Sequence, residues 1–188
     1  MADNKELGRI HIYCGNGKGK TTCGMGLCVR AAGYGFRVLI YQFMKNNATC
    51  ERAAMEHLKN ITFLPGLEHE KFSMRMTEEE KAQRRIFYAE QFRKATQTAV
   101  QDGYDVLFLD EIVYTIRAGL FDEAMLIDFL KNKPEHLEVI LTGRDPSPQL
   151  IELADYVSEI QRSSIHLTGD FRPAGESSAE HAQNPVKR

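Results

Sequence analysis

Between residues 9 and 32 a strand, a glycine-rich turn and a helix follow one another without a break, and this arrangement limits the chain to few folds. Arg9-Ile10-His11-Ile12-Tyr13-Cys14 reads as the strand, and a helical pattern runs from about Lys20 to Ala32, with Gly33 placed to cap it. The turn between them is Gly15-Asn16-Gly17-Lys18-Gly19-Lys20-Thr21-Thr22. Successive backbone N–H groups in such a turn point inward and cradle phosphate oxygens. Glycine is required where a side chain would block that approach or where φ must be positive. Lys20 brings a positive charge to the phosphates, and the Thr21 hydroxyl is placed to ligate Mg²⁺. The usual first glycine of such a loop would fall at position 14, which is Cys14, so the pattern is imperfect while its setting is complete.

Apolar runs of strand length alternate with helical patterns along the rest of the chain, which predicts a mostly parallel sheet with helices on both faces. The remaining predicted strands are residues 37–43, 61–64, 104–110, 137–142 and 156–160. Helices are predicted from about Thr49 to Lys59, from Thr77 to about Val100, from near Asp122 to Pro134, and from Ser147-Pro148 onward. Thr77 and Glu80 have the spacing of a capping box. The fold class is therefore α/β, a three-layer P-loop (RecA-like) arrangement. No linker divides the chain, so residues 1–171 form one domain and the polar stretch 172–188 is expected to be a flexible tail.

The run Val106-Leu107-Phe108-Leu109-Asp110 ends in an acid, and Glu111 follows. A buried strand ending in two carboxylates needs a compensating cation. In P-loop folds such a strand delivers its carboxylate to the metal side of the phosphates. Asp110 and Glu111 join Thr21 as candidate metal ligands.

Composition excludes several partners. Lys plus Arg number 24 against 26 Asp plus Glu, a net charge of −2, so no long-range field draws nucleic acid or an acidic membrane. No apolar run approaches the roughly 20 residues of a membrane span. The start, Met1 to Glu6, lacks the apolar core of a signal peptide, so the cytoplasm is expected. The four cysteines (Cys14, Cys23, Cys28, Cys50) form no zinc-site spacing and read as free thiols, with Cys23 and Cys28 packed inside a helix.

The loop resembles that of the ATP:corrinoid adenosyltransferases, whose Thr-Gly-Asn-Gly-Lys-Gly-Lys-Thr-Thr differs from this chain only at Cys14. The resemblance continues through Gln42-Phe43-Met44-Lys45, Leu109-Asp110-Glu111, Thr142-Gly143-Arg144 and Ala154-Asp155-Tyr156-Val157-Ser158-Glu159. It implies transfer of the 5′-deoxyadenosyl group of ATP to Co(I) of a corrinoid, with release of triphosphate. ATP would lie reversed in the loop relative to ordinary P-loop enzymes. Lys20, Thr21 and Glu111 are then the catalytic candidates. Gly15, Asn16, Gly17, Lys18, Gly19, Lys20, Thr21, Thr22 and Arg144 would bind ATP. A homodimer and a flavoprotein reductant are further implications.

Two regions depart from the family. Where it carries Phe and Trp in a loop beneath the corrin ring, this chain has Gly66-Leu67-Glu68-His69, so Leu67, His69 and nearby Phe72 are the corrinoid-loop candidates. The family's closing Lys-x-Gly-Ile-Glu-Tyr or Phe is replaced by Phe171-Arg172-Pro173-Ala174-Gly175-Glu176. Two other readings stay open from sequence: an ATP-binding paralogue acting as regulator or corrinoid carrier, and a P-loop phosphotransferase acting on a small molecule.

Overall fold

The computed structural model describes residues 8–68 and 76–163. His69, Phe72 and the tail 172–188 lie outside them. Six strands form one sheet: β1 (Ile10–Cys14), β2 (Val38–Gln42), β3 (Ile61–Phe63), β4 (Val106–Asp110), β5 (Glu138–Thr142) and β6 (Tyr156–Glu159). Their order is β3-β2-β4-β5-β1-β6, and every pairing is parallel, so the sheet is more uniform than the expected mixture. All six strands therefore end at one edge of the sheet, the edge that carries the phosphate loop.

Alternation along the central strands sends side chains to two cores. Val106 and Phe108 of β4 pack with Met25 and Cys28 of α1 (Lys20–Tyr34) and with Met55 of α2 (Cys50–Met55). Leu107 and Leu109 point to the opposite face. There they meet α3 (Glu78–Gln101), α4 (Ile112–Arg117), α5 (Glu123–Asn132) and α6 (Pro148–Leu153), through residues such as Phe92, Ile112, Leu126 and Leu150. Helices on both sides of a parallel sheet give the three-layer P-loop fold, and they explain why β4 reads as an unbroken apolar run. No described helix is long and apolar enough to cross a membrane.

Several boundaries differ from the sequence expectation. The first helix passes Gly33, ends at Tyr34 and is capped by Gly35 (φ 98°), with the N–H of Gly35 reaching Ala32 O and the N–H of Phe36 reaching Ala31 O. This is a Schellman end, and of the two glycines only the second is left-handed. The second helix stops at Met55, with the N–H of Leu58 turning back to Met55 O, well short of Lys59. Helix α4 is absent from the sequence expectation, because Ile112-Val113-Tyr114-Thr115-Ile116 is rich in residues that favour strands. Burial of Ile112, Val113 and Thr115 outweighs that preference. The capping box at Thr77 and Glu80 is present with both hydrogen bonds. Cys28 and Cys14 are buried, whereas Cys23 is exposed, contrary to expectation, because it lies off the face of α1 that meets the sheet.

Candidate functional site

The phosphate loop leaves β1 at Cys14 and enters α1 at Lys20, with Gly19 as a left-handed N-cap (φ 114°). It is braced from the side by the end of β6. The N–H of Gly17 donates to Ile160 O at 2.7 Å, the N–H of Ile160 donates to Cys14 O at 2.8 Å, and the N–H of Arg162 donates to Asn16 Oδ1 at 2.9 Å. Gly15 has φ 101°, and a Cβ there would run into the carbonyl of Ile160. Glycine at 15 thus serves both the turn and the close approach of β6. Lys20 is buried in the loop, with its ammonium donating to Gly17 O at 2.7 Å. Asn16, Lys18 and Thr22 are exposed, and Thr21 is half-buried, facing Asp110 of the sheet.

Beneath the loop lies Asp110, the last residue of β4, fully buried. Its carboxylate accepts four hydrogen bonds. Oδ1 accepts from Thr142 Oγ1 at 2.6 Å and from Thr21 Oγ1 at 3.0 Å. Oδ2 accepts from Lys45 Nζ at 2.7 Å and from Gln42 Nε2 at 3.0 Å. Lys45 Nζ also donates to Thr21 Oγ1 at 3.0 Å. Gln42 is held in turn by Thr49, whose hydroxyl donates to Gln42 Oε1 at 2.9 Å. A carboxylate removed from water is stable only when its lone pairs are satisfied in this way. Six polar side chains from β2, the segment after it, α1, β4 and β5 thereby form one connected network.

The next residue, Glu111, departs from regular backbone with φ 61° and caps α4. Its N–H donates to Thr142 Oγ1 at 2.7 Å, so Thr142 ties Glu111 to Asp110. Burial raises the pKa of the Glu111 carboxyl first, the neighbouring charge of Asp110 adds to that, and Lys45, Lys20 and Arg144 oppose it. Arg144 itself is exposed, on the loop after β5. Among the described residues, three non-glycine residues have positive φ: Met44 (52°), Glu111 (61°) and Asp145 (49°). They lie one to three residues past the ends of β2, β4 and β5, at the loop edge of the sheet. Left-handed backbone at non-glycine residues is strained and gathers at functional rims.

The expected residues Lys20, Thr21, Asp110 and Glu111 thus meet at one edge. The structure adds Gln42, Lys45 and Thr142, which in the sequence stand only as members of the matching segments 42–45 and 142–144. Their signal was polar side chains at the ends of strands buried on both faces. Cys14 sits beside the loop, yet burial pushes its thiol pKa up, which disfavours a reactive thiolate.

Leu67 lies apart from the carboxylate network but is joined to it through the chain. It bridges Asn46, and Asn47 Oδ1 accepts from the N–H of Gly66 at 2.7 Å. A cleft of about 290 Å³ opens between Leu67 and the start of α3, lined also by Met76, Glu80, Gln83, Arg84 and Phe87. Among the described residues, no three His, Cys, Asp or Glu side chains cluster as a metal cage. The hard oxygens of Thr21 and Glu111 suit Mg²⁺, which takes one or two carboxylates and fills its other positions from phosphates and water. By contrast, the four hydrogen bonds accepted by Asp110, also expected as a ligand, occupy its carboxylate and place it behind Thr21.

The family model of the ATP:corrinoid adenosyltransferases BtuR/CobO/CobP matches residues 6–170. A corrinoid adenosyltransferase from Sinorhizobium is 34% identical over 160 residues, covering 83% of this chain and 73% of that protein. Corrinoid adenosyltransferase CobA from Salmonella typhimurium is 32% identical over 166 residues, covering 84% of this chain and 78% of that protein. The corrinoid adenosyltransferase of Escherichia coli K12 is 30% identical over 159 residues, with coverage of 83% and 78%.

Proposed function

Since the chain belongs to the ATP:corrinoid adenosyltransferase family, we propose that it joins the 5′ carbon of ATP to Co(I) of a corrinoid and releases triphosphate. The observation that carries this reading is the phosphate loop standing over the Thr21–Asp110–Lys45 network. The C5′–O bond breaks, its electron pair leaves with the triphosphate, and the cobalt of the substrate supplies the pair for the new Co–C bond. The metal is the nucleophile, so the protein needs no nucleophile of its own. Its task is to hold the phosphates and stabilise the charge that grows on them.

The N–H groups from Asn16 to Thr22 and the ammonium of Lys20 take that role, because preorganised donors are most effective where charge develops. Thr21 and Glu111 would hold Mg²⁺, with Asp110 orienting Thr21 from behind. Bound there, Mg²⁺ supplies positive charge to the leaving triphosphate. Arg144, on the loop after β5, would add positive charge to the same rim. The cleft beside Leu67 would take part of the corrin face, together with His69 and Phe72. Cob(I)yrinic acid a,c-diamide or cob(I)alamin is the substrate on this reading, in biosynthesis or salvage of cobalamin. A flavoprotein reductant, a homodimer and a cytoplasmic setting complete it, and four free cysteines suit a reducing compartment.

Incubation of the protein with MgATP and chemically reduced cob(I)alamin tests the proposal. The expected result is replacement of the Co(I) spectrum by that of a light-sensitive alkylcobalamin. An unchanged Co(I) spectrum with folded protein would overturn it.

A further inference from the structure

Lys45 is held in place from both sides. Before it, Met44 has φ 52°, and its N–H donates to the buried Tyr88 hydroxyl at 3.1 Å. After it, Asn46 bridges Leu67 and the Asn47 side chain holds Gly66. A side chain free to wander would not need a strained residue at its root. The result is an ammonium 2.7 Å from Asp110 Oδ2 and 3.0 Å from Thr21 Oγ1. Asp110 is fully buried, while the Lys45 side chain is 25% exposed, so the charge stands at the boundary between the carboxylate and the open side of the loop.

We propose that Lys45 is a resident cation of the phosphate site, giving the Thr21–Asp110 pair the positive charge that a divalent cation otherwise provides, so that ATP binding does not depend wholly on metal. A purely structural partner of Asp110 would satisfy the carboxylate just as well. It would not contact the hydroxyl at the first turn of α1, where the phosphates approach. The inference rests on the ATP-binding reading above, and Lys45 is a positioning residue within it. Charge supplied at one place by two alternative cations gives a distinct signature: loss of one matters most when the other is absent.

The test is calorimetric titration of the full chain with ATP, in excess EDTA and in excess Mg²⁺. The wild type, Lys45→Met, Lys45→Arg and Lys20→Ala are compared, with circular dichroism to confirm folding. Wild type is expected to bind ATP in both buffers. Lys45→Met should weaken binding about tenfold or more in EDTA and less than about threefold in Mg²⁺, the size of one charged hydrogen bond lost or compensated. Lys45→Arg keeps the charge and should stay close to wild type in both, whereas Lys20→Ala should be weak in both. Equal changes for Lys45→Met in the two buffers, including no change, would overturn the inference. So would wild-type binding confined to the Mg²⁺ buffer. If Lys45→Met does not fold, Lys45→Arg decides together with wild type: detectable binding by both in EDTA supports the inference, and its absence in either overturns it. Failure of the wild type to bind MgATP at all would instead remove the ATP site on which the inference stands.

Discussion

Thr21 Oγ1 donates to Asp110 Oδ1 across 3.0 Å, joining the first turn of α1 to the last residue of β4. The contact fixes the distance between the phosphate loop and the acidic strand end.

Asp110→Asn replaces one carboxylate oxygen by an NH₂ group. Two hydroxyls, an ammonium and an amide now donate to that carboxylate, so at least one of them must face a donor. Because Lys45 keeps partial access to water, the cost should fall somewhat below that of a fully buried broken pair, roughly 2–3 kcal/mol. The midpoint of thermal unfolding should fall by roughly 5–10 °C. Differential scanning calorimetry measures this, and an unchanged midpoint would show that the network does not hold the site together.

Glu111→Gln keeps the side-chain shape and removes the charge. If Glu111 helps to hold Mg²⁺, the variant should need about tenfold more Mg²⁺ for half-maximal activity, with little change in corrinoid affinity. Titration of activity with Mg²⁺ at saturating ATP measures the shift. A variant with the parent's Mg²⁺ requirement would remove Glu111 from the metal site.

Asp155 ties β6 to β1. Its Oδ2 accepts from the N–H of Ile10 at 2.8 Å and its Oδ1 pairs with Arg9 at 3.0 Å. The backbone hydrogen bond from Ile10, followed by Arg9, lowers its pKa below the ordinary 3.8. A lowered acid contributes stability above its unfolded pKa and loses it as pH falls through the folded value. Asp155→Asn should therefore be less stable than the parent at neutral pH. The gap should close as pH drops below about 3.8. Thermal melts across pH check this, and a gap that does not change with pH would show that the charge of Asp155 is not what stabilises β6.

The sheet, the loop and the acidic pair were legible in the sequence because each is local. Continuous apolar runs mark strands buried on both faces, and the phosphate loop is eight consecutive residues. Apart from Thr21, the partners of Asp110 are hidden in the sequence because they come from separate parts of the chain, and only the strand order brings Gln42 and Thr142 to either side of it. Helix α4 was hidden for a different reason. Its β-branched residues favour a strand, and the left-handed turn at Glu111 that redirects the chain has no glycine to announce it. The bracing of the loop by Ile160 and Arg162 is likewise a tertiary contact, joining residues about 145 positions apart.

The bond that breaks in ATP tests the central claim most directly. Adenosyl transfer cleaves C5′–O, so all three phosphates leave together, whereas phosphotransfer cleaves the bond to the terminal phosphorus. Phosphorus NMR of a completed turnover with MgATP and cob(I)alamin separates the two. Triphosphate in a one-to-one ratio with alkylated corrinoid is the expected result. ADP as the stoichiometric product would contradict the adenosyltransferase reading.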